Sequence, residues 1–417
     1  MSTAWKFGRS SEDTRSAILD MVRSSGTVSR VELAEMSGLT ATSITRVVKS
    51  LIEDGLVIET GFGDSTGGKR PSLLELNPRG GYAIGLSLDD ERLTYVAADL
   101  GGTVVGQLVS HGIGQEAPRE TVERIAGEID DLILQLGIPR EHVVGVGIAG
   151  AGLDLGAGAE RLSLTAEEWE SFAVQEALES LAGFPVLRDN DAACAALGQY
   201  WVGRISATQD FATLYMSNGF GLGLMTGGRV SRGTSSNVGE IGHLLVDVNG
   251  PECWCGARGC LEMLAAPRAI VAQALSDSSL TSRLDLVDDE SRLRDNFNAI
   301  ARAAAAGDVT SIDIMEQSAR FVAAAVLSVV NLLDIDRIYL AGPGFADAGA
   351  IFVRSVRDVV SRFARTRAVH AVQIELSDPG LDAAAIGAAT LALQHVLTPH
   401  TRSFRQTDLH ANPVLRV

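Results

Sequence analysis

Between Thr14 and Ser24 apolar side chains fall at Ala17, Ile18, Met21 and Val22, a helical spacing that predicts a first helix with one buried face. Gly26 ends that run, and Ser29-Arg30-Val31-Glu32 is an S-x-x-E capping box that starts a second helix through Met36. Gly38 permits a tight turn, after which Thr40 can cap a third helix reaching about Asp54. Ile44, Val47, Val48 and Leu51 then share the inward face, and Thr42, Ser43, Arg46 and Lys49 are left outside. Gly55 closes the helix, and residues 56–60 and 72–76 read as two strands around a Gly67-Gly68-Lys69-Arg70-Pro71 tip. Helix, helix, turn, helix and basic-tipped hairpin make a winged helix-turn-helix. Its third helix offers short hydroxyls and cations to phosphates and base edges in a major groove, and Lys69 and Arg70 suit a minor groove. The same elements would also serve a protein-interaction module, an alternative that the basic tip disfavours.

After Asn77-Pro78 the period changes. Alternating apolar residues predict strands at 82–88, 92–99 and 103–110, an amphipathic helix near 119–136 and a buried strand at 143–149. A related order restarts near Phe211, with strands at 211–217, 222–226 and 337–341 and a terminal helix over 383–395. Two α/β halves with a cleft between them follow. The predicted organisation is a head over residues 1–80, a body over 81–396 and an extension over 397–417, whose Pro399 and Pro413 suit a loosely packed tail.

The chain's 417 residues exceed what one small core organises, and 46% hydrophobic with 21% charged residues is the balance of a folded globular protein, so disorder is excluded as its main state. No uninterrupted apolar run approaches bilayer length and residues 1–20 lack the apolar core of a signal peptide, which predicts a cytoplasmic protein with no membrane partner. The net charge of −17 is hostile to nucleic acid, yet residues 1–80 hold ten Lys/Arg and ten Asp/Glu, so the whole excess lies in the body. A neutral head on an acidic body confines DNA contact to the head.

Only four cysteines are present, and three lie between Cys253 and Cys260. With His243 they supply one imidazole and three thiolates, a tetrahedral set for structural zinc with no open position for catalysis. Free buried thiols are the alternative reading. Cys194 stands apart and suits a small core position.

Through Gly239-Glu240-Ile241-Gly242-His243 and Cys253-Trp254-Cys255-Gly256-Ala257-Arg258-Gly259-Cys260-Leu261-Glu262, the chain resembles the ROK family of repressors, open reading frames and kinases over roughly residues 12–396. The resemblance implies an actin-like, sugar-kinase-like two-lobed fold behind the winged head, zinc on His243, Cys253, Cys255 and Cys260, and a homodimer or homotetramer. It also implies sugar contacts from Asn190, Asp191, Glu240, His243 and Glu262, with Asp191 at the position of the base that deprotonates a sugar hydroxyl in the family's kinases. Carboxylates and an amide suit a polyol, whose hydroxyls both donate and accept. By itself, an Asn-Asp pair is more often a turn or helix cap than a site.

Three departures bear on activity. Where the kinases have D-x-G-G-T after the first strand, this chain has Ser87-Leu88-Asp89-Asp90-Glu91, which puts anions where nucleotide phosphates would need a cradle. A second glycine loop, residues 219–223, remains and reads equally as a tight hairpin. Thr165-Ala166-Glu167-Glu168-Trp169 lacks the Asn of the family's sugar loop, and Ala149 replaces its Pro. The expected protein is a regulator, foremost a repressor, that binds a double-stranded DNA operator and answers to a sugar or sugar derivative without kinase activity. A sugar kinase with an attached head, and a regulator whose pocket has lost its sugar, are the competing readings.

Overall fold

The capping box closes as the sequence requires. In the computed structural model Glu32 N donates to Ser29 Oγ at 3.2 Å and Ser29 N donates to Glu32 Oε2 at 2.7 Å, which fixes the start of the helix Arg30–Ser37. The structure describes residues 11–63, 70–114, 116–150, 169, 172–234, 238–378 and 380–397. Gly38 carries the left-handed φ of 70° that the turn demands, and Thr40 Oγ1 accepts from Ser43 N at 3.3 Å to cap the helix Ala41–Glu53. Ile44, Val48 and Leu51 are fully buried beneath that helix.

A first helix, Ser11–Ser25, completes the trio. Strands β2 (Val57–Phe62) and β3 (Ser72–Leu76) form the wing. They are joined by β1 (Val28–Ser29), a two-residue strand antiparallel to β3 that is too short to leave a period in the sequence.

The body contains two sheets of one design. In the first, β4 (Tyr82–Leu88), β5 (Arg92–Asp99), β6 (Val104–His111), β7 (Val143–Gly150) and β8 (Val186–Asn190) lie in the order β6-β5-β4-β7-β8. In the second, β9 (Phe211–Met216), β10 (Phe220–Thr226), β11 (Arg229–Val230), β12 (Arg337–Ala341) and β13 (Gln373–Leu376) lie in the order β11-β10-β9-β12-β13. Each lobe runs two antiparallel hairpin steps and then two parallel strands, so the second repeats the first. Strand β7 is buried nearly end to end because helices cover both faces of a parallel strand.

The helices Asp191–Val202 and Ala383–Leu397 cross at the junction of the lobes. A side chain at Gly387 would place its Cβ 1.6 Å from the Cys194 carbonyl oxygen, so only glycine allows this crossing. Cys194 is fully buried there among alanines, the core role expected of it.

The helix Val309–Leu333 is long and apolar enough to cross a membrane. It carries Asp313, Glu316 and Arg320, however, and packs Ile314, Met315, Val322, Val326 and Val330 into the second lobe's core. The head is no separate bead either. Ile18, Met21, Val22 and Leu33 share a continuous apolar cluster with Ala83, Leu100, Tyr200, Trp201 and Leu393 of the body.

Candidate functional site

The ligand site grows from two short segments and one helix start. Asn190 ends β8 and caps the helix Asp191–Val202, its Oδ1 accepting from Ala192 N at 2.9 Å and Ala193 N at 3.2 Å. The cap uses the oxygen and leaves the amide donors available, so the cap does not exclude a ligand role. Asp191 sits at the first helical turn, densely enclosed though it keeps some surface toward the cleft. Burial pushes its carboxyl up to about 6; a bond from the Ala192 amide opposes the rise, and the charges of Asp89 and Glu240 add to it.

Glu240 precedes a single 3₁₀ turn, Ile241–His243, and Glu262 opens the helix Leu261–Ala265. Burial raises the Glu240 carboxyl, with the His243 charge opposing and that of Glu262 adding to the rise. A Cβ at Gly219 would lie 2.6 Å from Glu262 Oε2, and one at Gly223 would lie 2.1 Å from the Ala192 carbonyl oxygen. The glycines of β10 and its turn therefore let Glu262 and the capped helix pack against that hairpin, which accounts for the second glycine loop without a nucleotide.

The four candidate metal ligands do converge. His243, Cys253, Cys255 and Cys260 present ligand atoms within 4.8 Å of one another. A tetrahedral site with metal–sulfur bonds of about 2.3 Å needs ligand atoms about 3.8 Å apart. Cys255 Sγ lies 3.7 Å from Cys260 Sγ, and Cys253 Sγ lies 3.6 Å from His243 Nδ1, so the donor set could hold a metal ion. With a metal in place Nδ1 would be the ligand atom and Nε2 would stay free to hydrogen-bond, while Trp254 meets the imidazole edge-on at 4.5 Å. Because Glu240 lies three residues before His243 and Glu262 two after Cys260, the knot fixes two pocket carboxylates along with itself.

Two arginines whose ion pairs sequence reasoning did not find flank the cleft. Arg294 of the helix Leu293–Ala305 donates to Asp89 Oδ2 at 2.8 Å, Glu91 Oε2 at 3.1 Å and Asn218 Oδ1 at 3.2 Å. Arg232 pairs with Asp189 through both terminal nitrogens, each at 2.5 Å. In each case the second lobe supplies the arginine and the first the carboxylates. The Asp89-Asp90-Glu91 turn thus holds a guanidinium from its own chain.

A pH dependence follows from Asp191. Between its ordinary value near 3.8 and about 6 the folded state retains a proton that the unfolded chain has lost, so this group favours the fold less as pH rises through that window. A ligand hydroxyl donating to Asp191 needs the carboxylate. Ligand affinity should strengthen as pH climbs through about 6, by at most about tenfold per unit below it. Calorimetric titration across that range checks this, and Asp191→Asn should flatten the profile.

On the head, Thr42, Arg46 and Lys49 are exposed along the outer face of the third helix. Arg46 makes no ion pair among the described residues, and Lys49 pairs only with exposed Glu53 at 3.6 Å. Ser43 is half-buried and joined to the cap, its Oγ 3.0 Å from Thr40 Oγ1. Exposed Thr45, one turn beyond Thr42, belongs to the same stripe; its three-residue offset from Thr42 was the available signal. Arg70 is exposed beside the wing. Lys69, and residues 165–168 of the altered sugar loop, lie outside the described residues, whereas Trp169 is buried in the first lobe's core.

Head and body meet at Arg23. This almost fully buried arginine donates to the Tyr200 carbonyl at 2.9 Å and the Ile205 carbonyl at 2.5 Å, and pairs with Asp20 at 2.8 Å. Its guanidinium stacks 4.1 Å from the centre of the Tyr200 ring, and Tyr200 Oη donates to Asp20 at 2.6 Å. Tyr200 rides on the helix that begins at Asp191, so one rigid element joins the ligand cleft to the head.

Comparison with known proteins fits both halves. Residues 94–395 match the model of the ROK family, and residues 11–58 match a winged helix-turn-helix DNA-binding model. The chain is 24% identical to the xylose repressor of Bacillus spizizenii over 91% of its own length and 94% of the relative's. It is 29% identical to the DNA-binding transcriptional dual regulator NagC of Escherichia coli over 78% of its length and 79% of that protein's. A solved ROK family transcriptional regulator, described as a homologue of the E. coli MLC protein, superposes with a TM-score of 0.70 at 23% identity, covering 93% of this chain and 96% of that one. A ROK family glucokinase from Streptomyces griseus, solved with glucose and AMPPNP, superposes with a TM-score of 0.60 at 27% identity, covering 75% of this chain and all of its own.

Proposed function

The chain belongs to the ROK family, and on that premise we propose that it is a sequence-specific DNA-binding transcriptional regulator, acting as a repressor, whose body senses a sugar or sugar derivative. The observation that carries this reading is the rigid path from cleft to head: the helix Asp191–Val202 starts in the ligand site and ends under Arg23 of the first head helix. A ligand that favours one setting of the cleft thereby favours one setting of the head. The xylose and N-acetylglucosamine repressors among its relatives support a carbohydrate as the ligand class.

In this reading Asn190, Asp191, Glu240, His243 and Glu262 hydrogen-bond the sugar, and zinc on His243, Cys253, Cys255 and Cys260 is structural. Thr42, Ser43, Arg46, Lys49, Lys69 and Arg70 face the operator. The protein works in the cytoplasm as a homodimer or homotetramer, because two heads are needed for half-sites about one helical turn, or a multiple, apart. In this reading it transfers no phosphoryl group, because Asp89 and Glu91 fall in the segment that the resemblance aligns with the kinases' phosphate loop, and Arg294 is engaged with both.

Fluorescence anisotropy with DNA from upstream of its own gene, with and without xylose, glucose and N-acetylglucosamine, tests the reading. Sugar-dependent release or tightening is expected. Indifference to that DNA, with turnover of ATP and magnesium on a sugar, would establish the kinase reading instead. In the same assay Arg46→Ala should weaken operator binding by about 1–3 kcal/mol and leave the sugar response intact. Unchanged operator affinity would remove Arg46 from the interface.

A further inference from the structure

We propose that the sensor cleft accepts unphosphorylated sugars and turns away sugar phosphates, and that Asp89 is the residue that sets this preference. The inference rests on the sugar-sensor reading and narrows its ligand class.

The charges of the cleft are already apportioned. Asp89 and Glu240 both act electrostatically on Asp191, and Glu262 acts on Glu240, so four acidic side chains lie close together here. Among the described residues, the two guanidinium groups identified beside the cleft are committed to carboxylates of this chain. Arg232 grips Asp189 with both terminal nitrogens, and Arg294 is shared between Asp89 and Glu91. These arginine side chains are only 22% and 18% exposed, so neither swings freely toward a ligand.

One guanidinium between two carboxylates leaves a net negative charge on the turn, and its Asp89 is within electrostatic reach of Asp191. Ser217 Oγ donates to Asp89 Oδ2 at 3.2 Å and anchors that carboxylate to the second lobe. A sugar hydroxyl meets this field well, since it donates to Asp191 and carries no charge. A phosphate ester of that hydroxyl loses the donated hydrogen bond and brings a charge of about −1.5 to −2 against Asp191 and Asp89. At separations of a few ångströms in a partly enclosed cleft, such repulsion exceeds about tenfold in affinity.

The test is isothermal titration of the full-length protein with D-xylose, D-glucose and N-acetyl-D-glucosamine, each beside its phosphate ester: xylose 5-phosphate, glucose 6-phosphate and N-acetylglucosamine 6-phosphate. The sugar that binds should outbind its own ester by at least about tenfold. Asp89→Asn should narrow that gap, and Arg294→Gln, which strips the counter-charge from Asp89 and Glu91, should widen it. An ester that binds as tightly as its parent sugar, or a gap that neither variant moves, overturns the proposal while leaving the sugar sensor standing. Silence from every sugar and every ester removes the sensor reading itself, and this inference with it.

Discussion

Cys255→Ser is expected to empty the metal knot and to lower the stability of the body by more than about 3 kcal/mol. Three cysteine sulfurs and an imidazole converge within 4.8 Å, and removing one of them leaves an incomplete donor set for a metal. In that event Glu240 and Glu262, which frame the pocket from either side of the knot, lose their fixed positions, so sugar affinity should fall with zinc content. Metal analysis beside calorimetric melting reads both effects. For a body of this size a loss of about 3 kcal/mol lowers Tm by about 4–5 °C. A variant with a full complement of zinc and the parental melting curve would refute the assignment.

Arg23→Ala should be as severe and more informative. The substitution leaves Asp20 against the body without its cation and orphans the carbonyls of Tyr200 and Ile205, a cost of about 3–5 kcal/mol for breaking a buried pair. Sugar binding in the cleft should survive. Operator binding should become markedly less sensitive to sugar, since the head keeps only its apolar seat and the Tyr200–Asp20 bond on the helix that starts at Asp191. Arg23→Lys, which keeps the charge but not the forked geometry, should fall between. Full sugar control of DNA binding in Arg23→Ala would show that coupling takes another route.

How much of this was legible in the sequence depended on whether the signal was local. The head's three helices, Gly38, the capping box and strand β12 all declare themselves within a dozen residues, and each lies where the sequence placed it. The convergence of His243, Cys253, Cys255 and Cys260 was readable because their spacing and residue types are restrictive. The joint at Arg23 was not, since Asp20 and Arg23 meet Tyr200 across some 180 positions of chain and a lone arginine on an amphipathic helix looks like a solvated one. Arg294 and Arg232 were missed for the same reason: a cross-lobe ion pair has no period. The Asp89-Asp90-Glu91 turn was recognised as hostile to phosphate, but its partner became visible only in three dimensions. Asn190 shows the opposite case: the ordinary reading of it as a helix cap is the one seen, and the cap leaves its amide donors unused.

The unbroken apolar cluster beneath the head bears on how such proteins can be rearranged. Ile18, Met21 and Val22 fill a seat built from Tyr200, Trp201 and Leu393, so this head cannot be traded for that of a relative as one would swap a tool on a handle. A chimera would have to inherit the seat together with the tool, and a body made alone would turn a greasy socket toward water and invite self-association.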